Sequence, residues 1–400
     1  MKNNLQFPHS ESNFQRRTFV KGLAAIMALQ SGPLITKAAS SKSKKLGLAI
    51  VGLGGYATGC IAPEVSSCAH VRLAGVVTGS KQKGEEWSRQ YQFPKDAVYG
   101  YDQIDRLAED DRIDMVHIAL PNAMHAEYAI KCAQAGKHVM VEKPMAISSG
   151  ECEAMIASAK KAGVLLGVNY RLQWEPHHVK ATEIISNDKF GQISSGNYEF
   201  SWGYARGLQG PNKDKIKKWL LDPKMAGGGA LFDTGVYPIQ AACYLSGRTP
   251  SSVRGMSSKV HPDIFPDGIE ETMSYELLFD DGFQAICRAS YSHSHHQCIT
   301  LGDHGSIEIK GGPRENKGWG SAYGQSGAGK PNPKTLFHGR KEIKLEQTLQ
   351  QGVLLDEFAQ SIKRGEKNFK ASGEMGLRDI QIIERIYKSA SAGGSLISTS

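Results

Sequence analysis

Hydrophobic positions fall into short, nearly continuous runs in the first half of the chain and into alternation in the second. Lys45–Val51, Val71–Val77, Asp114–Leu120, His138–Val141 and Val164–Val168 are brief apolar runs, the pattern of strands buried on both faces of a parallel sheet. Between them, Ala126–Ala135, closed by Gly136, and Ser149–Ala162 read as helices. Strand and helix in alternation predict a doubly wound parallel sheet, an α/β Rossmann arrangement, over 46–168. Further on, Thr272–Phe279 alternates apolar and polar positions, Asp280-Asp281-Gly282 suits a type I′ hairpin turn, and Phe283, Ala285 and Cys287 resume the alternation. Ile193–Trp202 is another expected strand. Gly311–Lys334 is rich in Gly, Asn and Pro and predicts a long loop. The 400 residues are too many for one ordinary core, so a second domain is expected over 169–400.

The net charge of +8 raises a polyanion partner, but residues 1–45 alone carry +7. The remaining body is nearly neutral and gives no case for nucleic acid. Within that basic segment, Gln15-Arg16-Arg17-Thr18-Phe19-Val20-Lys21 leads into a mild apolar run from Gly22 to about Ile35, and then into Lys37-Ala38-Ala39-Ser40. The order basic, apolar, small is that of a twin-arginine export signal over 1–39, with Gln15 standing where Ser is usual. Folded, periplasmic export is the expectation. No run of 18 apolar residues is present, so stable membrane insertion is not expected. The seven cysteines are odd in number and form no CxxC pair, which argues against a disulfide scaffold or a zinc site. His293 and His295 share a strand face by alternation, but no acidic or cysteine partner accompanies them, and no metal site is assigned.

The candidate chemistry gathers at strand ends. The first run leads into Gly52-Leu53-Gly54-Gly55-Tyr56-Ala57, a G-x-G-x-x-A turn that lets the backbone approach a pyrophosphate and aims a helix amino terminus at it. At the end of the next strand, where an NAD enzyme usually places an acid, the chain reads Thr78-Gly79-Ser80-Lys81-Gln82-Lys83. Hydroxyls and ammonium groups suit a 2′-phosphate, so NADP is expected over NAD, with NAD possible. Gly52, Thr78, Pro121, Lys143 and Tyr170 all fall at strand carboxyl ends, where such sheets bind ligands.

Leu120-Pro121-Asn122-Ala123-Met124-His125-Ala126-Glu127, then Gly136-Lys137-His138-Val139-Met140-Val141-Glu142-Lys143-Pro144, then Gly227-Gly228-Gly229-Ala230-Leu231-Phe232-Asp233-Thr234-Gly235-Val236-Tyr237 together resemble the glucose–fructose oxidoreductase, inositol dehydrogenase and rhizopine-catabolism family. The likeness runs from about residue 46 to the carboxyl end and leans toward the periplasmic glucose–fructose oxidoreductases. The resemblance implies an α+β second domain with a large open, mostly antiparallel sheet, and an NADP-dependent sugar oxidoreductase that assembles as a homodimer or homotetramer. It implies cofactor contacts from Gly52, Gly54, Tyr56, Ala57, Thr78, Ser80, Lys83, Leu120, Pro121, Asn122, His125, Glu142, Lys143 and Arg171, and substrate contacts from Tyr170, Trp219 and Asp233. The closest relatives carry an arginine after that tryptophan; this chain has Leu220, a departure at a position bearing on cofactor retention.

Hydride transfer from an alcohol carbon needs a base for the hydroxyl proton and a site that holds the carbon. Lys143, before a proline at a strand end, can hydrogen-bond the reacting hydroxyl and favour its oxyanion. Asp233 and Tyr237, four residues apart, share one face of a helical turn, and Pro238 suits a helix start. Tyr237 can pass the proton beside Lys143, and Asp233 can hold a neighbouring sugar hydroxyl. Three readings follow: oxidation of an aldose at C1 to a lactone, with glucose–fructose-type transhydrogenation as its stronger form; glycoside cleavage by transient oxidation; and a nucleotide-sensing regulator without catalysis.

Overall fold

The computed structural model describes residues 44–209, 218–311, 334–346 and 348–399. The expected export signal at 1–39 and nearly all of the expected loop at 311–334 lie outside the described residues. The first sheet contains β1 Leu46–Val51, β2 Val71–Val77, β3 Val98–Tyr99, β4 Met115–Ile118, β5 His138–Val141 and β6 Leu166–Val168. Their order is β3-β2-β1-β4-β5-β6 and every neighbouring pair is parallel. This is the doubly wound order whose crevice opens at the carboxyl ends of β1 and β4. β1, β4 and β5 are almost wholly buried, as their unbroken apolar runs require.

Nine strands build the second sheet: β7 Ile193–Ser201, β8 Ser252–Ser258, β9 Thr272–Leu278, β10 Gln284–Ser290, β11 His295–Gly302, β12 Gly305–Gly311, β13 Lys334–His338, β14 Lys341–Ile343 and β15 Ile397–Ser398. The order is β14-β13-β12-β11-β7-β10-β9-β8-β15. All neighbours are antiparallel except β7 and β10. The β9–β10 hairpin has the expected alternation, with Ala285, Cys287 and Ala289 inward, and Gly282 at its turn has φ +87°.

The two sheets share more than a linker. Helix Gly373–Ser391 packs on β8 and also on β6 and helix Ser149–Ala162. Helix Gln350–Lys363 begins against the turn after β1, where the Glu64 carboxylate accepts the Gln351 and Gly352 amides at 2.8 and 3.0 Å. Burial pushes the Glu64 carboxyl up to about 7, against those two hydrogen bonds. Its folded value lies above the ordinary 4.5, so its stabilising contribution is complete below pH 4.5 and is lost as pH rises through 7. Glu64→Gln keeps an acceptor for both amides and is expected to flatten that slope; Tm measured from pH 4.5 to 7.5 in both proteins checks it.

Candidate functional site

A cleft of about 490 Å³ opens where the parallel sheet switches direction. Gly52, Leu53, Gly54, Gly55 and Tyr56 line one end of it, Leu120, Pro121 and Asn122 one wall, and Lys143, Asp233, Tyr237 and Trp219 the other end.

The glycine turn is shaped by close approach. Gly52 has φ +94°, and a Cβ there would stand 2.7 Å from the Ala119 carbonyl oxygen and 2.6 Å from Leu120 Cδ2. A Cβ at Gly54 or Gly55 would meet nothing within 4 Å, so the backbone borders open space that a pyrophosphate fits. Ala57 is fully buried and begins a π-turn, Ala57–Ile61, against the sheet. Gly52→Val is therefore expected to abolish tight nucleotide binding and to cost roughly 2 kcal/mol or more of stability through left-handed strain and the carbonyl clash; calorimetric titration and thermal unfolding read the two effects.

At the end of β2, Thr78 lines the cleft. The Ser80 amide donates to Thr78 Oγ1 at 3.1 Å, and Ser80 Oγ caps the next helix by accepting the Lys83 amide at 3.3 Å. The Lys83 ammonium donates to the Leu53 carbonyl. That hydrogen bond folds the lysine onto the glycine turn, so Ser80 and Lys83 stand beside the nucleotide end of the cleft.

Along the wall, Asn122 Nδ2 donates to the Ala226 carbonyl at 2.8 Å. The His125 ring spans from the Leu120 carbonyl to the Pro144 carbonyl, 2.9 Å on each side, and burial holds it below the usual histidine range. Its place is structural: it braces the Pro121 turn against the Lys143–Pro144 segment. Glu142 accepts from His117 Nε2 at 2.9 Å and from Asn169 Nδ2. Burial opposes its charge, yet His117, Asn169 and Lys143 keep the carboxyl below its ordinary range. Asn169 also donates to Gln351 at 2.8 Å, and Gln351 donates to the Tyr56 hydroxyl. Gln351 thus carries helix Gln350–Lys363 into the site.

The chemical end centres on Lys143. Its ammonium donates to the Asp233 carbonyl oxygen at 2.6 Å and to Asp233 Oδ1 at 3.1 Å, and lies 5.0 Å from the Tyr237 ring centroid. Burial disfavours its charge, but Asp233, Tyr237 and Glu142 together hold it above the ordinary lysine range. The ammonium form is thus favoured by its surroundings. Asp233 Oδ2 accepts from Trp202 Nε1 at 3.0 Å and from the Tyr291 hydroxyl at 3.3 Å, so the carboxylate is aimed from three sides.

Asp233 sits in a π-turn, Leu231–Gly235, just before helix Val236–Ser246, and the pair does straddle the helix start. The Glu270 carboxylate caps that turn through the Gly229 and Leu231 amides at 2.9 and 2.7 Å. A Cβ on Gly229 would come within 2.0 Å of the Glu270 carbonyl oxygen, which accounts for glycine there. The Tyr237 ring stacks on Phe200 at 4.2 Å and 20°, and the fully buried Arg171 guanidinium lies 5.4 Å from its centroid.

Arg171 is thus a support beneath Tyr237 and does not line the cleft. Tyr170, expected against the substrate, is corrected: it is buried outside the cleft lining, where burial and then Asp379 raise its phenol well above the usual range. Tyr170 sits in a tight turn after β6 (φ −83°, ψ 61°) and Arg171 opens a short 3-10 turn, Arg171–Trp174, so the two side chains part, Arg171 toward the Tyr237 ring and Tyr170 toward Asp379. His293 precedes β11 and pairs with Glu199 at 2.6 Å, while His295 opens that strand 3.3 Å from Gln297, so the expected shared strand face does not form. The sequence reading missed Trp202, Tyr291, Asn169 and Gln351. It also missed Tyr101, which lines the nucleotide end and packs edge-on to Tyr128 at 5.3 Å.

Residues 46–170 match a family described as oxidoreductase family, NAD-binding Rossmann fold (GFO_IDH_MocA), and residues 178–311 match the GFO/IDH/MocA C-terminal domain. The aldose-aldose oxidoreductase of Caulobacter crescentus, crystallised with glycerol, superposes with a TM-score of 0.78 at 32% identity, over 89% of this chain and 100% of that one. D-xylose 1-dehydrogenase [NADP(+)] of Haloarcula marismortui is 24% identical over 86% of this chain and 90% of its own length. An inositol dehydrogenase homolog from Azotobacter vinelandii, complexed with NAD+, shares the fold, with a TM-score of 0.73 at 18% identity over 89% of this chain and 98% of that one.

Proposed function

This chain belongs to the GFO/IDH/MocA family and carries out NAD(P)-dependent sugar oxidoreduction, and from that premise we propose that it oxidises C1 of a pyranose aldose to the lactone with NADP and returns the hydride to a second sugar. The carrying observation is the Lys143 ammonium, held by Asp233 across from the glycine turn. The Caulobacter relative, named for aldose-to-aldose chemistry, supports the second half-reaction.

NADP, when bound, supplies the two-electron acceptor. Gly52, Gly54 and Tyr56 border the space for its pyrophosphate, Thr78 that for a 2′-phosphate, and Leu120, Pro121, Asn122 and Glu142 line the path inward; Ser80 and Lys83 lie outside the lining and reach the 2′-phosphate from beside Thr78 and Leu53. An ammonium has three donors; Asp233 takes two from Lys143, which leaves one for the sugar oxygen that loses its proton. Lys143 stabilises that oxyanion as it develops. Tyr237 relays the proton, its phenol oxygen accepting from the sugar hydroxyl as its own proton passes on to solvent in the cleft, since its ring lies beside the ammonium at the same end of the cleft. Asp233, fixed by Trp202 and Tyr291, accepts from an adjoining sugar hydroxyl, and Trp219 walls the sugar in. Leu220 is buried behind Trp219, so no charge follows the tryptophan to clasp the nucleotide.

The test is to purify the full chain, denature it, identify any released nucleotide, and then offer aldoses and ketoses singly and in pairs. Lactone formed together with a reduced partner sugar supports the proposal. Net NADPH formation from one aldose reduces it to a simple dehydrogenase, and glycoside cleavage without either replaces it. For cofactor choice, Lys83→Ala is expected to weaken NADP about tenfold, the loss of one charge-assisted hydrogen bond, and to leave NAD within about twofold; fluorescence titration with both nucleotides checks it. Periplasmic export through residues 1–39 and assembly as a homodimer or homotetramer belong to the same proposal. Exposed Ile286 and Leu301 on the outer face of the nine-stranded sheet support assembly there. Cell fractionation and light scattering test these two.

A further inference from the structure

A second polar cluster lies under the inner face of the nine-stranded sheet, away from the cleft. Helix Pro176–Ile185 lays His178 against β11, where alternation turns His296 and Cys298 to the same side. One donor atom from each of His178, His296 and Cys298 lies within 4.8 Å of the other two. The two imidazoles are stacked, 6.1 Å apart at 21°. The Tyr244 hydroxyl takes His178 Nδ1, which leaves Nε2 facing the cluster. His178 Nε2 and both ring nitrogens of His296 are buried without a hydrogen-bond partner among the described residues. Buried orphaned nitrogens are costly, and three of them beside a buried thiol need an explanation.

We propose that His178, His296 and Cys298 bind one borderline-soft divalent cation of the zinc class. Two imidazoles and a thiolate match the preference of such an ion, and the Tyr244 contact is the outer hydrogen bond that orients a ligating histidine. The Glu175 carboxylate, held by His177 Nδ1 at 2.6 Å and the His178 amide at 3.1 Å, has Oε2 4.0 Å from His178 Nε2 and flanks the fourth position. Lys334 stands 3.6 Å from Glu175 Oε2 and is the obstacle to a cation. Glu175 offsets its charge, and the Cys298 thiolate formed on binding offsets that of the buried Arg171 guanidinium, which also acts on both imidazoles. Binding exchanges the thiol proton: M2+ and Cys298–SH give the M–S bond and one proton released to solvent. The oxidoreductase reading does not depend on this site: His178, His296 and Cys298 do not line the cleft, and Phe200, which packs on His296 at 4.6 Å, stands between His296 and Tyr237.

The experiment is to purify the full chain from zinc-supplemented cells, dialyse it against metal-free buffer and measure zinc per chain. The result expected is about one zinc per chain, with X-ray absorption showing one sulfur near ~2.3 Å and imidazole nitrogens near ~2.0 Å. Under the same dialysis, Cys298→Ser is expected to lose at least ~10-fold in zinc content with sugar oxidation retained, and His296→Gln to do the same. Lys334→Met, which removes the competing charge, is expected to hold zinc at least as well. Refolding the wild type with zinc is expected to raise Tm over refolding without it. Zinc below ~0.1 per chain together with an unmoved Tm, or zinc undiminished in Cys298→Ser and His296→Gln, overturns the proposal.

Discussion

Lys143→Met is expected to lower the rate of sugar oxidation by about three orders of magnitude, from the loss of both oxyanion stabilisation and proton positioning. Methionine keeps the length and the apolar stem but removes the charge held between Asp233 and the Tyr237 ring. The same change leaves Asp233 Oδ1 without its cation while Trp202 and Tyr291 still hold Oδ2. The pair is largely buried, with side chains 12% and 16% exposed, and breaking such a pair typically costs about 3–5 kcal/mol. A loss of activity alone would therefore not separate chemistry from unfolding. The double variant Lys143→Met with Asp233→Asn removes the stranded charge and is expected to regain most of the lost Tm while the rate stays low. Nucleotide affinity, set mainly at the Gly52 turn, is expected to change little in both. Stopped-flow hydride transfer and thermal unfolding on the two proteins make the separation. An unchanged oxidation rate in the single variant would remove Lys143 from the reaction.

The parallel sheet was legible because its strands are buried on both faces, and apolar runs with no polar alternation can satisfy little else. β5 and helix Ser149–Ala162 fall at their expected bounds. The second sheet was legible only where a turn residue marked it, as at Gly282. β12 to β14 were not read as strands, β11 only through the His293–His295 alternation, and β8 and β15 pair across more than a hundred residues, a match no local pattern announces. The site divides in the same way. Gly52, Lys143, Asp233 and Tyr237 sit in compact motifs whose spacing shows their purpose. Trp202, Tyr291 and Gln351 reach the same cleft from the end of β7, from just after β10 and from the start of a late helix. Each is one aromatic or amide among many, and only tertiary packing gives it a target. Tyr170 shows the converse error: adjacency to Arg171 in the chain placed it at the site, and the backbone turned it the other way.

Tyr237→Phe isolates the proton step. The substitution deletes one oxygen and keeps the ring, so the stack on Phe200 at 4.2 Å survives, as do the Lys143 and Arg171 cations at 5.0 and 5.4 Å from the ring centroid. Stability is expected to fall by about 1–3 kcal/mol, because stacking and cation–π contacts are retained while the buried Arg171 guanidinium loses its hydrogen bond to the Tyr237 hydroxyl. If the hydroxyl is the proton acceptor, kcat falls about 10²–10⁴-fold, the usual worth of a positioned base, with KM nearly unchanged. The limb of the kcat pH profile that reports the base disappears with it. Tyr237→His supplies the decisive contrast. An imidazole at the same helix start is a base that titrates near neutrality when unperturbed, so activity is expected to return in part, with the profile displaced toward lower pH. A residue that merely filled space beside Phe200 would leave the profile of Tyr237→Phe in place and would gain nothing from histidine. That pair of results would assign the proton to some other group, and Lys143 would then be left as an electrostatic anchor alone.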